Sequence, residues 1–437
     1  MTPNDPYEPE KDDGFIEYKQ RLSGIPSKLR FEKLVTQLKY RLGEGKGESI
    51  YVIGVADDGE ILGLNKEDFF ESLDVLEEIA SEIDAEAIII RKQVIEGKYI
   101  GEVLIRKKPF RGFPLEIVVA VIGNVDSGKS SLIGHLISGK NDDGDGLTRQ
   151  LIMRHPHEIL SGRTSSVATK ILGFKTDGTI VNYSSEFRKL REEEVIRNSS
   201  KLLRFIDLAG HEKYLKTTIF GMLGTEPDYA AIIVDANRGI QKMTREHLGL
   251  ASILKVPVFC VLTKIDLAPP LIYKKTLQEL KQLLKSPILS SIPKVVKDYD
   301  DIAVLAPILN NSRIVPILPL SVVSGENVHL LKKFLNLLAP RKLWGNSGIT
   351  GAQQKLPEGK ESNQFLLFIE EWFQVTGVGP VLSGIIQSGE IRVGITCSLG
   401  PDTNGNYLKV KIRSIQSRRI PLDVAFPGQY VSMSLSF

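Results

Sequence analysis

The sequence predicts an α/β protein in which a parallel sheet flanked by helices is preceded by a small α+β domain and followed by a β-barrel. Between Leu115 and Leu338, apolar runs of strand length alternate with helical patterns, the arrangement that buries a parallel sheet between helices. A Gly-rich turn, Gly123 to Ser130, follows one of those strands and opens a helical run. From Phe365 onward, short β-rich runs are spaced by Gly377, Gly379, Gly384, Gly389, Gly394 and Gly405 with no helical period, as in small barrels.

The 437 residues are enough for about three folded units. Hydrophobic residues at 42% and charged residues at 25% are ordinary globular usage and exclude wholesale disorder and coiled-coil arrays. From Gly14 to Lys108 short strands mix with a basic amphipathic helix (Lys28 to Leu42) and an acidic one (Lys66 to Glu86). Asp57-Asp58-Gly59 reads as the turn between two apolar strands. Pro109 to Pro114 marks a boundary just before the run Ile117–Ile122, apolar enough to be a strand buried on both faces. Further strand candidates are Leu202–Ile206, Ala230–Val234, Val256–Leu262 and Ile314–Leu318, and Pro340 to Asn363 has linker composition. The expected division is 1–112, 113–340, a linker over 341–363, and 364–437, with no internal repeat.

Fifty-six Lys plus Arg against 53 Asp plus Glu leave a formal charge of +3, too slight to mark a nucleic-acid binder by bulk charge, so any RNA site has to be a local patch. Cys260 and Cys397 give neither a disulfide framework nor a zinc knuckle, and a reducing, cytoplasmic compartment is expected. Met1 to Asp13 is acidic and Pro-containing, without the basic and apolar regions of a secretory signal. The apolar runs fall short of a membrane span, so no membrane association is expected.

Gly123-Asn124-Val125-Asp126-Ser127-Gly128-Lys129-Ser130 has the GxxxxGK[ST] pattern, with Ser131 next in the helix. Glycines let backbone N–H groups curl around phosphates, and the helix N-terminus adds its dipole. In such a loop the lysine reaches the β- and γ-phosphates and the following hydroxyl ligates Mg²⁺, here Lys129 and Ser130. Asp207-Leu208-Ala209-Gly210-His211 follows a second buried strand and gives a DxxG arrangement, an acid near the Mg²⁺ shell and a glycine amide for the γ-phosphate. Thr263-Lys264-Ile265-Asp266, with Leu267 after it, follows a later strand. A carboxylate there accepts hydrogen bonds from guanine N1 and N2 while the lysine stem covers the ring, which selects guanine over adenine. Ser321-Val322-Val323, after yet another strand, is placed to give a backbone amide to guanine O6.

Together these motifs resemble the translational GTPases typified by elongation factor Tu and elongation factor 1-alpha, in which a histidine follows DxxG as His211 does here. GNVDSGKSSLIGHL, HEILSGRTSSVATKILGF, FIDLAGHEKYLKTTIFGMLG and TREHLGLA are similar to the GTP-binding protein 1 and 2 family, over about Gly14 to Phe437. The resemblance implies a P-loop NTPase G domain followed by an elongation-factor-type β-barrel, binding GTP or GDP with Mg²⁺ and hydrolysing GTP. It implies that His211 orients the attacking water, that Lys129 acts on the phosphates, that Thr164 is the switch threonine completing the Mg²⁺ shell with Ser130 and Asp207, and that Asp126 holds a monovalent cation such as K⁺. It implies a monomer with the ribosome and tRNA or other RNA as partners. The second reading is a GTP-gated RNA-binding adaptor linked to RNA-decay factors.

Arg163 departs from the pattern of elongation factor Tu, which has isoleucine before the switch threonine. A guanidinium there suits either RNA phosphate or the γ-phosphate, and a solvated side chain is the alternative. His155 and His157 lack further ligands for a metal, and His135, His247 and His329 fall on helical stretches as packing or surface residues. Glu186 to Arg197 reads as a solvated helix inserted beside the switch. Phe368, Trp372 and Phe373 are expected in the barrel core. The barrel stops at Phe437, before its expected last strand, so a truncated chain is expected. IEYKQRL with GESIYVIGVADDGEILGL is similar to AlbA-like nucleic-acid-binding domains, and Lys28, Arg30, Lys33, Lys39 and Arg41 form the basic helix face.

Overall fold

The structure, a computed structural model, describes residues 7, 9–10, 14–22, 27–109, 114–151, 168–183, 190–208, 210–211, 213, 215–310, 312–341, 365–402, 404–417, 420–427 and 429–436. The chain divides into two compact units, residues 1–341 and 342–437, and the expected 112/113 boundary falls inside the first.

At the N-terminus, β1 (Ile16–Lys19), β2 (Glu48–Ile53), β3 (Ala85–Ile95) and β4 (Lys98–Lys107) form a sheet in the order β1-β2-β4-β3. β1 runs parallel to β2, and the other pairs are antiparallel. Helices α1 (Lys28–Glu44) and α2 (Lys66–Ser81) carry apolar residues at helical spacing, Val35, Leu38 and Leu42 on one and Phe69, Leu73 and Leu76 on the other. Asn65 caps α2 by accepting from Asp68 N at 2.8 Å, with Glu67 and Asp68 in the first turn favouring the helix dipole. Both helices cover one sheet face, packing on Tyr51, Ile53, Val103 and Ile105. The alternate residues Ile50, Val52 and Leu104 join the core of the larger sheet. β2 is therefore buried along its whole length, the burial that a continuous apolar strand without polar alternation needs. Arg41 is not on the basic face: it is buried and pairs with Glu10 and Glu17, leaving Lys28, Arg30, Lys33 and Lys39 exposed.

The larger sheet has seven strands in the order β10-β11-β9-β8-β5-β7-β6. They are β5 (Leu115–Gly123), β6 (Ala168–Phe174), β7 (Lys201–Asp207), β8 (Tyr229–Asp235), β9 (Val258–Thr263), β10 (Ile292–Val295) and β11 (Ile314–Pro319). The expected parallel sheet is present with one correction, since β6 is antiparallel to β7 at the edge. Between strands lie α3 (Lys129–Ser138), α4 (Leu147–Gln150), α5 (Glu192–Arg197), α6 (Leu215–Thr225), α7 (Lys242–Ile253), α8 (Pro270–Leu284), α9 (Tyr299–Ile308) and α10 (Val328–Leu337). No described helix is long and apolar enough to cross a membrane.

The second unit is antiparallel, with β12 (Leu366–Val375), β13 (Gly379–Ser388), β19 (Tyr430–Ser436), β16 (Leu408–Ser417) and β15 (Thr396–Leu399) adjacent in that order. β17 (Ile420–Leu422) pairs with β16, and β14 (Ile391–Arg392) pairs with β18 (Val424–Ala425). Leu382, Ile386, Ile412, Val431 and Met433 are in its core. The barrel aromatics are not: Phe368, Trp372 and Phe373 are 57%, 50% and 38% exposed within this unit. Among the described strands β12 pairs with β13 alone and is bulged between Ile369 and Glu371, so it is an edge strand whose side chains have strand neighbours on one side only.

The two sheets of the first unit are joined by a buried ionic group. Arg106 Nε donates to Glu48 Oε1 at 2.6 Å, and Lys201 Nζ donates to Glu48 Oε2 at 2.9 Å. Both cations also reach the end of α10, where Arg106 Nη2 and Lys201 Nζ donate to Asn336 O at 2.9 and 2.8 Å. Burial raises the Glu48 pKa, but Lys201 and Arg106 outweigh it and hold the carboxyl below its ordinary value. Removing one member of such a group leaves uncompensated buried charge, so Glu48→Ala lowers the unfolding free energy by about 3–5 kcal/mol in a urea titration. Because the folded carboxyl titrates below the unfolded one, its stabilisation is complete above the unfolded carboxylate range. It is lost as pH falls through the depressed folded value, an acid dependence that the variant lacks.

Candidate nucleotide-binding site

The candidate site lies at the C-terminal ends of the parallel strands, where β5 sits between β7 and β8 and the strand order reverses, the usual location of ligands in open α/β sheets. β5 ends at Gly123 and α3 starts at Lys129, so the turn between them is the GxxxxGK[ST] loop. Gly128 caps the helix at φ +90°, a left-handed conformation that a residue with a Cβ adopts only with strain. Lys129 folds back over the loop, donating to Asn124 O at 2.7 Å and Gly123 O at 3.2 Å. It is 6% exposed. Burial pulls its pKa down, with Asp207 and Asp126 opposing the shift.

β7 pairs in register with β5, Asp207 opposite Val121, which brings the acid to the loop. Ser130 Oγ donates to Asp207 Oδ2 at 2.7 Å. A hydroxyl and a carboxylate at that separation fit the inner shell of Mg²⁺, an ion that takes one or two protein oxygens beside phosphate oxygens. Among the described residues no three His, Cys, Asp or Glu are grouped to hold a metal without such help. Gly210 passes so close to the loop that a Cβ there would lie 2.5 Å from Lys129 Nζ and 2.6 Å from Gly123 O. No larger residue fits at that place. His211 is exposed, and its Nδ1 accepts from Lys213 N at 3.1 Å, which places the proton of the neutral ring on Nε2.

The residues expected to select guanine lie at the end of β9, in the turn after it and in the loop after β11. Thr263 Oγ1 donates to Ser127 O at 2.7 Å and Val234 O at 3.1 Å, fastening β9 to the phosphate loop. Lys264, at φ +58°, donates to Asp126 O at 2.6 Å and pairs with Asp235 Oδ2 at 2.9 Å. Asp266 and Leu267 are exposed at the rim. Ser321 Oγ accepts from Val323 N and Ser324 N at 3.2 and 3.1 Å, and Ser321 N donates to Glu326 O. Those three amides are thus committed inside the loop, and Val322 is the residue between them. Val322 O accepts from Asp142 N at 3.0 Å.

Val125 is half-buried in the loop, and Ser131, in α3, gives its carbonyl to Thr148 Oγ1 at 3.0 Å. Thr164, Arg163, His155 and His157 lie outside the described residues, as does the first part of Glu186–Arg197, whose end is α5. His135, His247 and His329 are on α3, α7 and α10 as expected. Burial lowers His135 and His247 to about 4, so both are neutral near pH 7. Sequence reasoning missed Asp235 and Arg238, which follow from no motif and reach the site only through the loop after β8.

These elements define a G domain of the translational GTPase class, and residues 116–341 match the elongation factor Tu GTP binding domain family. The chain is 43% identical over 439 residues to GTP-binding protein 2 of Homo sapiens, covering 99% of this chain and 71% of that protein. It is 43% identical over 411 residues to GTP-binding protein 1 of Xenopus laevis, covering 94% of this chain and 61% of that protein. The selenocysteine-specific elongation factor of Methanocaldococcus jannaschii is 30% identical over 235 residues, or 53% of this chain and 41% of the relative. The chain belongs to the GTP-binding protein 1 and 2 family of elongation-factor-like GTPases.

A carboxylate in the role expected of Asp266 would accept from guanine N1 and N2, whereas an amide offers one acceptor and one donor. Asp266→Asn therefore lowers GTP affinity by two or more orders of magnitude and raises affinity for xanthosine triphosphate, read by competition against a fluorescent guanine nucleotide.

Proposed function

We propose that this chain is a GTP hydrolase whose nucleotide state controls binding to RNA at the ribosome, with aminoacyl-tRNA as the RNA class. The observation that carries the reading is the convergence of Lys129, Ser130, Asp207 and Gly210 on one loop, with His211 next to Gly210. Relatives named as elongation factors support the link to translation. GTP enters with its phosphates in the turn from Gly123 to Ser130, where backbone amides and Lys129 supply positive charge. Ser130 and Asp207 would hold Mg²⁺, with Thr164 expected to add a third oxygen in the GTP state. The ion, when bound, compensates charge on the β- and γ-phosphates. Gly210 gives its amide toward the γ-phosphate. His211 orients the attacking water, using the edge of the ring that the Lys213 amide does not occupy. Phosphoryl transfer asks the protein mainly for positioning and charge compensation, which these groups supply. The protein acts as a cytoplasmic monomer in this reading.

The exposed basic residues Lys28, Arg30, Lys33 and Lys39 of α1 favour a second reading, in which GTP gates an RNA-binding adaptor that recruits RNA-decay factors. Because the N-terminal sheet shares its core with the larger one, charge reversal tests this better than deletion. Lys28→Glu with Arg30→Glu and Lys33→Glu weakens RNA binding at least tenfold at low salt if that face is the contact, since each phosphate contact adds to the salt-dependent affinity.

The leading reading is tested by GTP hydrolysis with and without 80S or 70S ribosomes, with an ATP control. His211→Ala is expected to lower kcat by two or more orders of magnitude, with nucleotide affinity within twofold of the native chain. Tight GTP binding with no response to ribosomes moves the assignment to the adaptor, and ATP turnover removes both.

A further inference from the structure

Arg238 lies on the loop between β8 and α7, and its Nη1 is 3.4 Å from Asp126 Oδ2 in the phosphate loop. The loop that carries it is fixed from within. Asp235 Oδ1 accepts from Asn237 N at 2.9 Å and Arg238 N at 3.1 Å, and Gly239 N donates to Asp235 O at 3.0 Å. The other oxygen of Asp235 pairs with Lys264, which itself donates to Asp126 O. Asp126, Lys264, Asp235 and Arg238 therefore close a ring that ties the phosphate loop to the guanine strand through the loop after β8.

A carboxylate inside a loop that surrounds a polyanion opposes binding unless a cation neutralises it. Two other cations are near, and both are committed elsewhere. Lys129 is turned to Gly123 O and Asn124 O, and the charge of Lys264 is paired with Asp235. Among the described residues, Arg238 is the cation within ion-pairing distance of the Asp126 carboxylate. A monovalent ion held by Asp126 would compete with that guanidinium for the same oxygens. Arginine stays charged at every working pH and, being tethered, needs no concentration of free ion.

We propose that Arg238 takes the place of a monovalent cation at Asp126, neutralising its carboxylate so that the phosphate loop accepts GTP and GDP without K⁺. The role is one of positioning charge, and it rests on the assignment of this loop as the GTP site. Both side chains are substantially exposed, so substitution leaves the core intact.

The test is the affinity of a fluorescent GDP analogue and of a non-hydrolysable GTP analogue for the full chain, with MgCl₂ present. It is measured in KCl and in N-methyl-D-glucamine chloride of equal ionic strength, the organic cation being too large for an inner-shell site. The native chain should bind within twofold in the two salts. Arg238→Ala should lose about tenfold in the organic salt and recover most of it in KCl. Arg238→Lys should stay close to native, and Asp126→Asn should make Arg238→Ala indifferent to K⁺. The proposal is overturned if the native chain itself needs K⁺, if Arg238→Ala matches the native chain in both salts, or if it weakens equally in both. A native chain that bound guanine nucleotide in neither salt would overturn the GTP-site assignment itself.

Discussion

The ammonium of Lys129 rests on two main-chain carbonyls of its own loop, and most of the site follows from keeping it there. Donation to Gly123 O and Asn124 O fixes the curl between β5 and α3, which in turn fixes where the backbone amides lie. It also dictates what can approach. The chain after β7 must cross the loop within a distance that leaves no room for a Cβ, which is why Gly210 stands there. Burial disfavours this charge, and two carbonyls and nearby carboxylates only partly offset that cost. A phosphate would give Lys129 a full counter-charge where carbonyl dipoles give only a partial one.

The parts of this site that were legible from sequence are those whose geometry is local. GNVDSGKS specifies its own turn, and DLAG and TKID each follow an apolar strand whose end is set by the sheet. What was not legible depends on partners distant in sequence. Arg41 carries the helical spacing of a solvated residue, yet it is buried because Glu10 and Glu17 meet it from 31 and 24 residues away. Strand direction is equally silent in a pattern of apolar residues. ATKILGF reads the same whether it runs with β7 or against it, and it runs against it. Phe368 and Trp372 have the alternation of core residues, yet on an edge strand with neighbours on one side only they stay half exposed.

Arg238 illustrates a further kind of silence. Arginine in DANRGIQ belongs to no motif, and its meaning comes from Asp235, whose carboxylate gathers Asn237 N, Arg238 N and Lys264 around one point. Asp235 closes β8 as Asp207 closes β7 and Thr263 closes β9. In a parallel sheet the strand ends lie along one edge, so polar residues at those ends become neighbours without being neighbours in sequence. The site is thereby assembled from several short loops, each too small to fold alone and each set by the strand that carries it.

β7 is held at one end by an ion pair and at the other by a hydrogen bond, and this limits how far it can move. Its first residue, Lys201, is fastened to Glu48 of the N-terminal sheet and to the end of α10. Its last, Asp207, meets Ser130 of the phosphate loop. Along its length it is bonded to β5 on one side and β6 on the other. Sliding the strand would pull Lys201 from a buried carboxylate, a loss far larger than one hydrogen bond. The strand is thus a fixed rail, and in the proposed reading a change at the γ-phosphate would be expressed beyond its end at Asp207. The N-terminal sheet therefore does more than add a surface to the protein, since its Glu48 anchors the first residue of the strand that ends at Asp207.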